Sequence, residues 1–119
     1  MDDVPGRLLA RVYTNLLIAL KRFDEAKALL RKIMPLAPRV LGDCHELTLK
    51  MRWLYAKALY EDDAVTLDNL REAVATLEDA GRTARRILGG AHPTAVGIAT
   101  GLRAARAFLL ACETQLSSA

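Results

Sequence analysis

The chain has 119 residues, 52% apolar, 26% charged and 5% aromatic, and its net charge of +3 comes from 17 basic and 14 acidic side chains. This is the arithmetic of a single folded domain, long enough to bury roughly two thirds of the surface its unfolded form exposes; a disordered tail and a collagen-like chain are excluded. The basic residues come as isolated pairs, Lys21-Arg22, Arg31-Lys32 and Arg85-Arg86, interleaved with acids, so the bias is mildly cationic.

The residues read as helix throughout, because Ala, Leu, Arg, Lys and Glu dominate and no β-branched stretch alternates between turn residues. Pro5 suits a first turn with Asp3 as its cap, and Leu8, Leu9, Val12, Leu16 and Ala19 recur at helical spacing, which predicts a first helix to about Leu20. After Lys21-Arg22, a second amphipathic face runs through Phe23, Ala26, Leu29, Leu30 and Ile33, to be kinked or ended by Pro35 and Pro38. Gly42-Asp43 is a stop. From His45 to Tyr60 a third helix is apolar on most of its circumference, as if sandwiched between neighbours. Glu61-Asp62-Asp63 reads as a solvated acidic loop, and Thr66 can cap a fourth helix through Leu67, Leu70, Ala73, Leu77, Ala80, Ala84 and Leu88. Gly89-Gly90 ends it; Pro93 opens a fifth helix with Val96, Ile98, Ala99, Leu102, Ala105, Phe108 and Leu109 on its apolar side, and the tail from Ser117 should fray.

Leu41-Gly42-Asp43-Cys44-His45 returns 47 residues later as Leu88-Gly89-Gly90-Ala91-His92. Setting 23–45 against 70–92 gives nine identities: Glu25/Glu72, Ala26/Ala73, Ala28/Ala75, Leu30/Leu77, Ala37/Ala84, Arg39/Arg86, Leu41/Leu88, Gly42/Gly89 and His45/His92. That is a helical repeat, in which hairpins that cannot bury their apolar stripes alone stack on one another and small residues permit close approach. Each glycine supplies a permissive turn, and each histidine stands where its side chain can accept a bond from an orphan helix amide.

Phe23-Asp24-Glu25-Ala26 with Leu30 and Pro38, then Leu41-Gly42-x-x-His45-x-x-Thr48-Leu49 and Leu88-Gly89-x-x-His92-Pro93, resembles tetratricopeptide repeats (TPR) of the kinesin light chain type over nearly the whole chain. The resemblance implies antiparallel helix pairs stacked into a right-handed superhelix whose first helices line a concave, peptide-binding groove. It gives one domain over 1–119, with hairpins at about 5–41 and 45–88 and a closing helix at about 93–115, five helices in all. The sequence departs from the family in its period of 47 against ~34 for a plain repeat. The surplus maps to 61–69, and the groove's asparagine pair is replaced by Trp53 and Leu54, with Asn15-Leu16 alone similar to it. The same type of hairpin occurs in C-terminal helical regions of SET and MYND proteins, whose zinc ligands and catalytic domain have no match here.

No chemistry-bearing cluster competes with this reading. His45, His92, Cys44 and Cys112 lack the spacing that would preorganise zinc on one helix, and Cys44 beside His45 has no recognisable orienting acid or oxyanion device. No cofactor and no catalytic group is therefore expected. Two cysteines make no disulfide framework, which fits a reducing compartment and sets the cytoplasm as the expected location. The apolar runs 16–20 and 107–112 fall short of the ~18 to 20 residues of a membrane span, and the acidic start is unlike a secretory signal, so no membrane segment is expected. Nucleic acid is disfavoured because no basic surface with interleaved aromatics is evident; Arg103 and Arg106 are the best local pair.

The expected function is a non-catalytic scaffold that binds a protein or peptide partner, for which an acidic or aromatic peptide fits the candidate face, with a C-terminal helical regulatory segment of a larger SET/MYND-like enzyme or a nucleic-acid-binding helical repeat as the alternatives. Lys50, Trp53 and Lys57 share one face of the third helix, Arg7, Arg11 and Asn15 form a similar stripe on the first, and Thr100 with Arg103 form one on the fifth. These are the groove candidates, against the plainer reading of a solvated face with Trp53 half-buried between repeats. The apolar end helices also offer a surface for self-association.

Overall fold

The structure, a computed structural model, describes residues 22–42, 45–62 and 64–118. Among them every regular element is a helix and no strand occurs: α1 (Phe23–Ile33), α2 (Leu36–Leu41), α3 (Glu46–Tyr60), α4 (Leu67–Leu88) and α5 (Pro93–Ser118). The first helix expected from the sequence, with Arg7, Arg11 and Asn15, lies outside the described residues, as do Cys44 and Asp63.

Helix α1 buries Phe23, Ala26, Lys27 and Leu30, one stripe at i, i+3, i+4 and i+7, with Asp24 and Glu25 in its first turn and Arg31 and Lys32 in its last, matching the helix dipole at both ends. Met34 still donates to the Leu30 carbonyl at 2.8 Å. The proline that follows has no N–H to continue the ladder, and Pro38 removes a second donor, so the run breaks at Met34-Pro35 and resumes as the short α2. Helix α4, with no proline, is continuous for 22 residues. The loop ahead of it follows Tyr60, and residues 67–69 form its first turn.

Helix α3 packs against α1, α2, α4 and α5. This explains its apolar circumference: Thr48, Leu49, Met51, Leu54, Tyr55, Ala56, Ala58 and Leu59 are all buried. On α4 the buried stripe is Leu70, Ala73, Leu77, Ala80, Gly81 and Ala84, whose small members let α3 and α5 approach from either side. Five matched pairs share their burial: Ala26 and Ala73, Leu30 and Leu77 are inside, whereas Glu25 and Glu72, Ala28 and Ala75, Arg39 and Arg86 are exposed; His45 is exposed where His92 is half-buried.

The acidic loop is more than a solvated tip. Asp62 lies 3.4 Å from the ammonium of Lys27, both side chains being largely withdrawn from water, while its other oxygen accepts from the Ala64 amide at 2.9 Å. A lysine buried on α1 requires a counter-charge, and the loop between α3 and α4 supplies it. At the far end the helix persists through Ser118 in place of the expected fraying from Ser117.

Candidate interaction surface

Two linkers set how the helices meet. Gly42 has φ 92° and ψ 155°, and Gly89 has φ 92° and ψ 150°, a region that side chains with a Cβ avoid. Each glycine N–H donates back to the helix it ends, Gly42 to Pro38 at 2.9 Å and Gly89 to Arg85 at 3.1 Å. Each glycine carbonyl accepts from the histidine three residues on, at 3.3 and 3.2 Å. His45 Nδ1 then accepts from the Leu47 amide at 3.0 Å and His92 Nδ1 from the Thr94 amide at 3.1 Å, capping α3 and α5. The repeated linker thus has the same glycine torsions and the same glycine and histidine bonds at both sites.

The side chains around the linkers differ. Thr48 donates its hydroxyl to the Gly42 carbonyl at 3.0 Å; the residue 47 positions on is Ala95, which has no hydroxyl. At the second linker the Thr94 hydroxyl reaches across to Glu46 at 3.0 Å, and Lys50 lies 3.0 Å from the same carboxylate oxygen. The hydrogen bonds from Lys50 and Thr94 hold the Glu46 carboxyl below its ordinary range.

From this junction a seam runs along α3 through Glu46, Lys50, Trp53, Lys57 and Tyr60, the face turned to α5. The tip of the Trp53 indole fills a notch at Gly97: a Cβ built there would stand 2.3 Å from the ring, whereas one at Gly101 would meet the Trp53 nitrogen at 3.5 Å and the Tyr60 oxygen at 3.4 Å. Tyr60 tilts against Phe108 with ring centroids 6.1 Å apart, and burial pushes its hydroxyl pKa up. Trp53 is therefore packed between repeat units, with part of its surface left open.

Of the sequence candidates, the structure brings Lys50, Trp53 and Lys57 together on this seam and places Thr100 and Arg103 on an exposed stripe of α5 shared with Val96, Ala107 and Leu110. Lys50 is paired with Glu46, whereas the half-buried Lys57 has no ion-pair partner among the described residues. Arg103 donates to the Thr100 hydroxyl at 3.3 Å, which itself donates to the Val96 carbonyl at 3.0 Å. Sequence reasoning missed Glu46, Thr94, Gly97 and Gly101. Two glycines four apart on one helix face were the legible signal for a notch.

A second polar chain crosses the other side of α3. Arg31 donates to the Tyr55 hydroxyl at 3.2 Å, and Tyr55 donates to Glu72 at 2.5 Å, linking α1 to α4 through a buried tyrosine. Burial and the bond to Glu72 push the Tyr55 pKa up, so it acts as a fixed donor. Outside these contacts, Arg52 pairs with Asp79, Arg106 with Glu78 at 2.7 Å and Arg71 with Glu113 at 3.6 Å, so the long helices are laced by cross-helix ion pairs.

No family model, curated protein or solved structure matches the chain. Two further observations bear on what the surface could contact. Among the described residues no group of three or more His, Cys, Asp or Glu side chains is placed to hold a metal ion. Although the separate apolar runs are short, α5 over 93–116 is long and apolar enough to cross a membrane by length and composition, with 22% of its most apolar window buried. The small residues Gly97, Ala99, Thr100, Gly101, Ala104, Ala105 and Ala107, none of them charged, link the apolar runs into one long weakly polar helix.

Proposed function

We propose that the chain is a non-catalytic protein-interaction scaffold, a stack of TPR-like helical hairpins with right-handed superhelical sense that receives an acidic protein or peptide segment along the α3–α5 seam. The observation that carries this reading is the duplicated linker, with two glycines at φ 92° and two histidine caps 47 residues apart. A stack built by repeating one junction presents adjacent first helices side by side, and a rigid surface of that kind binds with little ordering cost.

The acidic character of the partner follows from two cations with no carboxylate partner among the described residues, Lys57 on the seam one turn from the partly open Trp53 ring and Arg103 on the exposed stripe of α5. Lys50 is the weaker candidate, because its charge is already answered by Glu46. The test is affinity enrichment with the native chain and with a Lys57→Glu, Arg103→Glu variant, after circular dichroism shows equal helicity. Partners lost from the variant, and lost from the native chain as salt is raised, would support the scaffold. Identical partner sets would remove the seam as the binding site.

A further inference from the structure

On the α3–α5 seam two hydrogen-bond donors stand unused beside one another. The Trp53 indole nitrogen and the Tyr60 hydroxyl both lie within 3.5 Å of the point where a Cβ on Gly101 would stand. Neither bonds to any group among the described residues, and neither is sealed from solvent. Lys57 shares this face of α3, four residues after Trp53 and three before Tyr60, so its half-buried side chain brings a third donor within one turn of both. That donor is charged and has no ion-pair partner among the described residues. We propose that Trp53, Lys57 and Tyr60 form a binding site for one carboxylate side chain, aspartate or glutamate, of an acidic peptide. The proposal rests on the seam being the surface that receives an acidic segment, and it names where along the seam the charge is bound.

The donor set selects the ligand. An indole N–H can only donate, and the phenol keeps its proton to offer, because burial and, secondly, the charge of Glu61 push its pKa up. Three convergent donors with no carboxylate among them favour an anion. A single cation answers a single negative charge, which suits a carboxylate; the second charge of a phosphate dianion would stand unanswered. The other carboxylate on this face, Glu46, lies three turns earlier on α3 and is engaged by Lys50 and Thr94. Gly101 leaves out the methyl that would otherwise stand against both donors. Phe108, tilted on Tyr60 and 49% exposed, offers an apolar shelf for the methylenes of the incoming side chain.

Trp53 is the single tryptophan of the chain, so its indole N–H gives one signal in a proton–nitrogen NMR spectrum. The full chain is titrated near neutral pH and at low salt with acetylated hexaglutamate amide, and with the hexaglutamine counterpart as the neutral control. Hexaglutamate should move the indole signal downfield and saturably, and hexaglutamine should leave it in place. Lys57→Gln should weaken hexaglutamate binding about tenfold, by loss of a charge-assisted bond, and Tyr60→Phe, which keeps the ring on Phe108, about threefold. Glu61→Gln should tighten it about twofold, because an exposed like charge beside Tyr60 is removed. An indole signal that stays in place while backbone amides of α3 and α5 move would overturn the site and leave the seam as the binding surface. No movement of any signal would overturn the site and the acidic seam together. An affinity for hexaglutamate that neither Lys57→Gln nor Tyr60→Phe changes, or an equal response to hexaglutamine, would overturn the site as well.

Discussion

The two linkers share their glycine torsions and histidine caps and differ in their surroundings. Gly42 and Gly89 agree within a few degrees in both torsions, and both histidines make the same cap bond. Yet the first linker follows a helix broken at Met34-Pro35 and is braced by the Thr48 hydroxyl, while the second follows the unbroken α4 and is tied through Thr94 to a carboxylate on α3. A junction's local shape thus travels with five residues of sequence. What the junction is fastened to depends on which helices arrive beside it.

The same contrast separates the cores of the two halves, and the largest expected effect probes it. Leu30 and Leu77 are repeat partners, both fully buried, but among the described residues α1 packs on α3 as its one long helix whereas α4 is held between α3 and α5. Truncating a buried leucine costs roughly 2 to 5 kcal/mol according to how far the site can collapse. Leu77→Ala should fall near the top of that range and Leu30→Ala near the bottom, read by urea unfolding. A Leu30→Ala loss equal to or above that of Leu77→Ala would break the comparison.

Next in size are the two linker glycines. Gly42→Ala and Gly89→Ala force a Cβ into torsions it avoids, at a cost of roughly 1 to 3 kcal/mol each, with open space around both positions so that strain is the whole effect. The two losses should agree within about 0.5 kcal/mol, the range over which independent sites behave alike. A larger difference in denaturant midpoint energies would mean that the surroundings reach into the backbone.

The smallest effect concerns the seam. Gly97→Ala gains about 1 kcal/mol of helix propensity but drives a methyl into the rigid Trp53 ring, an overpacking cost of typically 1 to 3 kcal/mol, so the net change is a loss. Gly101→Ala meets ordinary neighbours at 3.4 Å and beyond and should be neutral or slightly stabilising. Thermal midpoints of the two variants should therefore move apart. If Gly97→Ala stabilises as much as Gly101→Ala, Trp53 is not seated in the notch.

A good part of the fold was legible because the signals are local. Pro35 and Pro38 announce the break, Thr66 caps α4 through its hydroxyl at 3.1 Å from the Asn69 amide as its position suggests, and the apolar circumference of α3 foretells a helix with neighbours on most sides. The site was legible only in part. Lys50, Trp53 and Lys57 share a face by spacing alone, but spacing is silent on what that face meets, and it did not pair Lys50 with Glu46 or fit Trp53 to Gly97. The acidic loop misled for the same reason: Asp62 resembles a solvated carboxylate until Lys27, 35 residues away, is brought to it.

By itself the sequence determined where helices start and stop, which stripes are apolar and that one junction is used twice, since each depends on torsions and periodicity within a few residues. Only the tertiary structure decided which charges are spent on one another, which ring fills which notch and which cations are left without a carboxylate among the described residues, because those follow from contacts between residues far apart in the chain.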